Sequence, residues 1–371
     1  MSSSLDLVIT SVGATTPVGL SAPASCAALR AGVTRIDAVN THLVDADLIG
    51  KDPVIGGRVP MEWFEGGPTT PEWPGFDRFE VPHPPTPETL VADGPSRLGE
   101  IAGPAAREAW ADPSSRFVKH GLYLGMAESD AETALADAVA AACSMRPRVT
   151  HASKEGRAAL FAALRQAAKD LLAGDVDVAL VGGVDSLIRR DVLVALDRSG
   201  ALRSSTRPQG VIPGEAAAFF VVERAAGAGD RALAHLANVV TTEEPTTGTE
   251  DPNIAAGLTA ALHRVRRRGA PMTSPPLTIS DLNGDRYRAI EWVMASMRAF
   301  SDLHGDEPLW HPADCIGDTG AAAGAISIVW AVTAFGKGYS PSSQILTWGA
   351  SDGPLRGAAL LASASGAEGR S

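Results

Sequence analysis

Residues 154–183 read KEGRAALFAALRQAAKDLLAGDVDVALVGG, a helical run, a glycine stop and an almost continuous apolar run. Leu160, Leu164, Ala167, Leu171 and Leu172 recur at helical spacing, with Arg157, Arg165, Lys169 and Asp170 elsewhere, which predicts an amphipathic helix over 154–173. Ala173-Gly174-Asp175 ends it, because glycine adopts the left-handed conformation that closes a helix. Val176 to Gly182 lacks the alternation of a half-exposed strand and reads as a strand buried on both faces. A helix stopped by glycine and followed by a buried strand is the unit of an α/β protein.

The same alternation extends outward in both directions. Strands are expected at Leu7–Val12, Gly121–Met126, Ala217–Glu223, Leu277–Leu282 and Gln344–Trp348. Helices are expected at Ala22–Ala31, Arg97–Ala111, Ala131–Ser144, Asn253–Arg267, Arg288–Ser301 and Ala321–Phe335. Between Lys51 and Pro95 proline and glycine accumulate, and the segment reads as an irregular excursion; a proline-rich recognition ligand is the sharper, less favoured alternative. Ala225 to Asp230 reads as a boundary that divides the chain into residues 1–228 and 229–371. The small, polar tail from Ser363 to Ser371 is expected to fray.

The chain has 371 residues, 45% of them hydrophobic, enough to bury two large cores. Its 32 basic and 43 acidic side chains give a net charge of −11, which provides no footprint for nucleic acid or for an acidic lipid surface. Cys26, Cys143 and Cys315 are too dispersed for a disulfide framework or a zinc knuckle. The opening residues carry no basic region of the kind that begins a secretory signal, and the Ala/Gly-rich run from Thr319 to Lys337 reads as a packed helix rather than a membrane span. A cytoplasmic protein is expected.

Several motifs, in order, resemble the β-ketoacyl-acyl-carrier-protein synthase branch of the thiolase superfamily. Val8 to Gly19 is similar to that family's first strand and turn, and Ala173 to Gly183 to its glycine-aspartate segment. Arg207 to Ala218, with Pro213-Gly214-Glu215, and Ile316 to Ala325, with Ile316-Gly317-Asp318-Thr319-Gly320, resemble two further glycine motifs. Trp348 to Asp352 resembles the family's gating turn. The resemblance implies a thiolase-like five-layer α-β-α-β-α fold of two similar halves with mixed sheets, usually dimeric.

It also implies where the chemistry would lie. The family condenses acyl thioesters with a cysteine at a helix N-terminus and two histidines. Matching Gly156 to the family's glycine puts Ser153 at the cysteine position, whereas the usual helix length puts that position near Arg157; neither gives a cysteine. Asn283 stands in the first histidine slot, Asp318 in the second and Ala313 in that of the family's lysine. An amide is no base at neutral pH, and an ionised carboxylate repels a developing enolate. Claisen condensation is therefore not expected.

The leading expectation is a catalytically degenerate, ketoacyl-synthase-like protein that acts by binding, as a partner resembling chain-length factors or as an adaptor. Its rival is a thiolase-fold acyltransferase or hydrolase using Ser153, with Asn283 as oxyanion donor and Asp318 as polar partner; a turnover-free sensor of acyl thioesters is a third reading. Expected partners are an acyl thioester or acyl-carrier protein and, for assembly, a second copy, a related synthase or another protein. Ser153 also reads as an ordinary helix N-cap. Cys143 and Cys315 read as structural thiols. Asp281, Asn283, Asp285 and Asp318 would share one pocket, but their spacing matches no calcium loop, so they read as caps, and neither metal nor cofactor is expected. Arg264, Arg266, Arg267 and Arg268 read as a solvated helix end, with carrier-protein binding as the sharper alternative.

Overall fold

A computed structural model describes residues 5–39, 54–60, 95–111, 119–128 and 132–364. The first half contains β1 (Leu7–Thr15), α1 (Ala22–Ala31), β2 (Asp37–Ala38), β3 (Ile55–Gly56), α2 (Pro95–Ala109), β4 (His120–Gly125), α3 (Glu132–Ala142) and β5 (Val149–Ser153). It ends with α4 (Ala159–Ala173), β6 (Val178–Ser186), α5 (Arg190–Arg198) and β7 (Glu215–Arg224). A short α6 (Ala225–Ala228) and a 3-10 turn at Gly229–Arg231 lead into the second half. There follow β8 (Ala234–Glu243), α7 (Ala256–Arg266), β9 (Leu277–Ile279), α8 (Arg286–Ala299), β10 (Leu309–Trp310), α9 (Ala313–Ile316), α10 (Ala323–Gly336), β11 (Gln344–Ala350) and β12 (Leu355–Ser363).

The two halves repeat one topology. Among the described residues the large sheet runs β10-β9-β11-β12-β8-β1-β7-β6-β4-β5. Numbered within its own half, each five-stranded part has the order 3-2-4-5-1 read from its outer edge inward. The senses match too: β4 is parallel to β5 and β6, as β9 is to β10 and β11. β7 is antiparallel to β1 and β6, as β12 is to β8 and β11. A short antiparallel pairing, Val8 with His235 and Ile9 with Ala234, joins the parts.

Helices complete the layers. α4 touches β4 and β6 on one side and β8 and β12 on the other, and α10 likewise lies between the halves, so these two form the middle layer. Their apolar surfaces, with Ile9, Val181, Phe220, Ile279 and Ile345, make the central core. α2 and α3 cover the outer face of the first half, and α7 and α8 that of the second. A helix between two sheets must be apolar around much of its circumference, and α10, from Ala323 through Phe335, is buried at nearly every position.

The expected elements are found, beside β8, β12 and α5, which the sequence pattern did not mark, and the expected ones differ in four respects. The helix expected from Lys154 begins at Ala159: residues 149–153 form edge strand β5, the Met126 amide donates to the Ser153 carbonyl at 2.9 Å, and Gly156, at φ 72°, turns the chain into a 3-10 turn at Gly156–Ala158. Ser153 therefore ends a strand rather than capping a helix. On α4, Leu172 is 49% exposed, while Asp170 is buried and accepts the Tyr123 hydroxyl at 2.8 Å. β9 stops at Ile279, three residues early, because the chain turns to deliver Asp281 and Asn283 to the molecule's centre. Within the proline-rich excursion residues 54–60 are packed: β3 pairs with β2, Val54 and Val59 are buried, and the Val59 amide donates to Glu215 at 2.9 Å. The rest of that segment and the tail beyond residue 364 lie outside the described residues.

Candidate functional site

Each half enters its middle-layer helix through a short 3-10 turn that follows its third strand, directly in the first half and after α9 in the second, and the two turns meet. One is Gly156–Ala158 ahead of α4, the other Gly320–Ala322 ahead of α10. Small residues allow the approach. A side chain at Gly183 would stand 2.7 Å from the Ala321 carbonyl oxygen, and one at Gly349 2.9 Å from that of Arg157. The meeting point is thus a junction of two helix N-termini, whose partial positive charges favour an anion.

Asp318 meets that preference. It precedes the turn into α10, is 1% exposed and accepts the Gly320 amide at 3.0 Å. Its carboxylate also accepts both terminal nitrogens of Arg157, Nη1 at 2.5 Å and Nη2 in a still closer contact, and Nδ2 of Asn283 at 2.6 Å. Arg157, in the turn before α4, is buried, and as a cation at a helix N-terminus it is unfavourably placed unless carboxylates face it. Two do: beyond Asp318, Asp281 approaches Nη1 at 3.3 Å.

Asp281 links this pair to a second cation. Its other oxygen accepts the Ala350 amide at 3.1 Å and lies 3.5 Å from Nη1 of Arg288, a buried residue in the first turn of α8. Arg288 continues outward to the Ala350 carbonyl and, at 3.1 Å, to the exposed carboxylate of Asp352. Two buried guanidinium groups thus balance two buried carboxylates. Ser351 locks the turn over them: its hydroxyl accepts the Ala158 amide at 3.0 Å and donates to the Glu155 carbonyl.

The electrostatics follow from these contacts. Burial favours the neutral form of Asp318, but the paired Arg157 guanidinium and the hydrogen bonds from Gly320 and Asn283 outweigh it and hold the carboxyl below its ordinary range. Burial likewise opposes the charge on Arg157, and the facing carboxylates overcome it and raise its pKa. For Asp281 burial wins over Arg157 and Arg288, and its pKa is raised. The centre is an ion-pair cluster in which Asp318 is anionic and engaged by four donors.

The structure brings Asn283 and Asp318 together and leaves Ser153 apart from them. Among the described residues the Ser153 hydroxyl donates to Glu155, and the group that joins the Asn283–Asp318 pair is Arg157. Asn283 is committed at both ends, since its Oδ1 accepts the Asp285 amide at 3.0 Å. Asp285 caps α8 by accepting the Tyr287 amide at 3.0 Å, the cap role expected of it. Counting back from Gly174 by the usual helix length points to Arg157, the alternative to Ser153 that the sequence leaves open. Arg288 and Ser351 carry no such sign, because only the long-range packing sets them beside Asp281 and Glu155.

Among the described residues the groups joined in this cluster are Arg157, Asp281, Asn283, Arg288, Asp318 and Asp352, and no cysteine is bonded to them. A guanidinium is neither nucleophile nor base at neutral pH. Burial raises the Cys26 and Cys143 thiols to about 11 and also raises Cys315, so the three are protonated at neutral pH. Cys143 follows the end of α3 rather than opening a helix. Arg266 pairs with Asp302 at 3.1 Å, while Arg264, Arg267 and Arg268 are exposed. None of the helices among the described residues is long and apolar enough to cross a membrane.

Comparison with known proteins agrees with this architecture. Residues 122–228 match the family "Beta-ketoacyl synthase, N-terminal domain". No curated protein matches the chain. Among solved structures, a ketosynthase from module 6 of the bacillaene synthase of Bacillus subtilis 168 superposes with a TM-score of 0.74 at 14% identity, over 97% of this chain and 72% of that one. A type II PKS acyl-carrier protein in complex with its ketosynthase, bound to the hexaketide, gives 0.74 at 14% identity over 97% and 99%. The ishigamide ketosynthase/chain length factor gives 0.67 at 20% identity over 96% and 99%. Residues 122–228 thus resemble the N-terminal domain of β-ketoacyl synthases, and the chain shares the fold of these ketosynthases over nearly its whole length.

Proposed function

We propose that this chain is a non-condensing, ketosynthase-like protein that acts by binding, as the partner subunit of a related synthase in the manner of a chain length factor or as an adaptor. The observation that carries the reading is the Arg157–Asp318 fork at the junction of the two middle-layer helices. Condensation needs an anionic nucleophile there and neutral donors for the enolate. A cation locked to two carboxylates supplies neither, and Asn283 is spent on Asp318 and Asp285. The likeness to a ketosynthase/chain length factor and to a ketosynthase held with its acyl-carrier protein supports partners of those two kinds. The domain boundary we adopt is 228/229, and the setting cytoplasmic.

The test is intact-protein mass spectrometry after incubation with acyl-coenzyme A and acyl-carrier-protein donors. No stable acyl increment is expected. An increment on the wild type that disappears in Ser153→Ala would replace this reading with an acyltransferase or hydrolase, and condensation of malonyl and acyl thioesters by the purified chain would reject it. Light scattering at micromolar concentration is expected to give a dimer, and a monomer alone would count against the paired assembly.

A further inference from the structure

Helix α8 turns a row of apolar side chains outward. Tyr287, Ile290, Val293 and Met297 are 57%, 46%, 52% and 71% exposed, and their spacing of three, three and four residues keeps them on one face of a helix. Ile254 is also exposed, at 51%, and its carbonyl accepts a hydrogen bond from Arg298. Four of the eight large apolar side chains exposed among the described residues thus lie on one face of one helix. The opposite face of α8 is already committed to the core, where Trp292 stacks on Trp348 with ring centroids 5.0 Å apart. Scattered exposed apolar residues are normal on a folded surface, whereas an aligned stripe marks an interaction site.

Charge indicates what the stripe receives. In a chain of net charge −11 the exposed positions of α8 carry no carboxylate, and the row is bracketed by Arg286 and Arg298. Glu291 of the same helix is buried on Arg356, and Asp302 beyond its end is held by Arg266. A second copy fits poorly: two-fold pairing of the stripe about its middle sets Arg286 against Arg298, like charge against like. An anionic bilayer would extend beyond the patch and meet the acidic remainder of the surface, while a single helix meets only charges within about one screening length, roughly 8 Å. We propose that this face of α8 docks an amphipathic helix of another protein, with an apolar seam bordered by carboxylates. Arg288, on the buried side of α8, belongs to the Arg157 cluster, but the proposal rests on the helix's exposed face and on no acyl chemistry, so the Val293 and Met297 variants test it apart from the proposed function.

The probe is a fluorescent synthetic helix of the length of α8, 14 residues, with a leucine seam flanked by glutamates, set against the same seam flanked by lysines. Fluorescence anisotropy on the full chain is expected to show the glutamate peptide binding at least tenfold tighter than the lysine peptide, with affinity falling as salt rises. Val293→Asp with Met297→Asp should weaken it at least tenfold with an unchanged circular dichroism spectrum, since both side chains are exposed. Arg286→Glu with Arg298→Glu should abolish the preference between peptides. Equal affinities, or no binding of either peptide, overturns the proposal. Sedimentation showing a wild-type dimer dispersed by the aspartate pair would assign the face to a second copy, and wild-type binding to phosphatidylglycerol vesicles, lost in that pair, would assign it to a bilayer; either result overturns it as well.

Discussion

Arg157 is the residue on which the centre turns. A guanidinium at a helix N-terminus is stable only because Asp318 and Asp281 face it, and Asp318 in turn depends on that guanidinium, while Asp281 shares it with Arg288. Removing one member strands the others. Asp318→Asn is expected to cost about 3–5 kcal/mol in a denaturant titration, and Arg157→Met a similar amount. Replacing the pair together, Arg157→Met with Asp318→Leu, removes both charges at once and should restore most of that loss, to within about 1–2 kcal/mol of wild type. A double variant no more stable than the singles would mean that the pair is not the source of the effect.

The same residues fix a pH dependence. Asp318 has a depressed pKa in the folded state, so the stability it contributes is fully present above its ordinary value of 3.8 and is lost as pH falls through the depressed folded value. Asp281 acts in the opposite sense, because its raised folded pKa makes its charge costly at neutral pH and protonation relieves that cost. Urea midpoints measured as pH is lowered below 3.8 should therefore fall more steeply for wild type than for the Arg157→Met, Asp318→Leu double variant, which lacks the Asp318 contribution. Parallel curves would remove Asp318 as the cause.

Among the elements, α4 shows how far pattern reading reaches. Its glycine stop is where the sequence places it: Gly174 has φ 79°, and its amide closes on the Asp170 and Leu171 carbonyls. Gly174→Ala should cost about 1 kcal/mol, readable as a lowered thermal midpoint, because alanine pays a penalty in the left-handed region. The other end of α4 was not legible. Periodicity carries Lys154 and Glu155 into the helix, whereas pairing with β4 claims the residues through Ser153 for an edge strand, and Gly156 makes the turn. Hydrogen bonds to a distant strand override local preference where a short segment is compatible with either state. The inward placement of Asp170 has the same origin, since Tyr123 on β4 supplies the partner that lets a carboxylate be buried on α4.

At the scale of the whole molecule, the repeated 3-2-4-5-1 order explains why a site exists where it does. Two like halves each place a turn and a helix N-terminus in the middle layer, and only their apposition brings residue 157 of one half to residues 281 and 318 of the other. In the acyl-transfer experiment the absence of a covalent increment is the expected outcome at this scale, because the junction is filled by an internal ion pair.

The sequence by itself determined the α/β class and the order of most of the helices and strands, since these depend on residue type and local periodicity. It also left Ser153 and Arg157 as alternatives for one position, because both lie within a helical turn of the ambiguity at the start of α4. Only the tertiary structure decided that Arg157 reaches Asp318 and Asp281, that Arg288 and Ser351 close the cluster, and that α8 faces outward with an apolar row. The Arg157 contacts span 124 and 161 residues of chain, and a pairing at such separation leaves no periodic trace in the sequence that makes it.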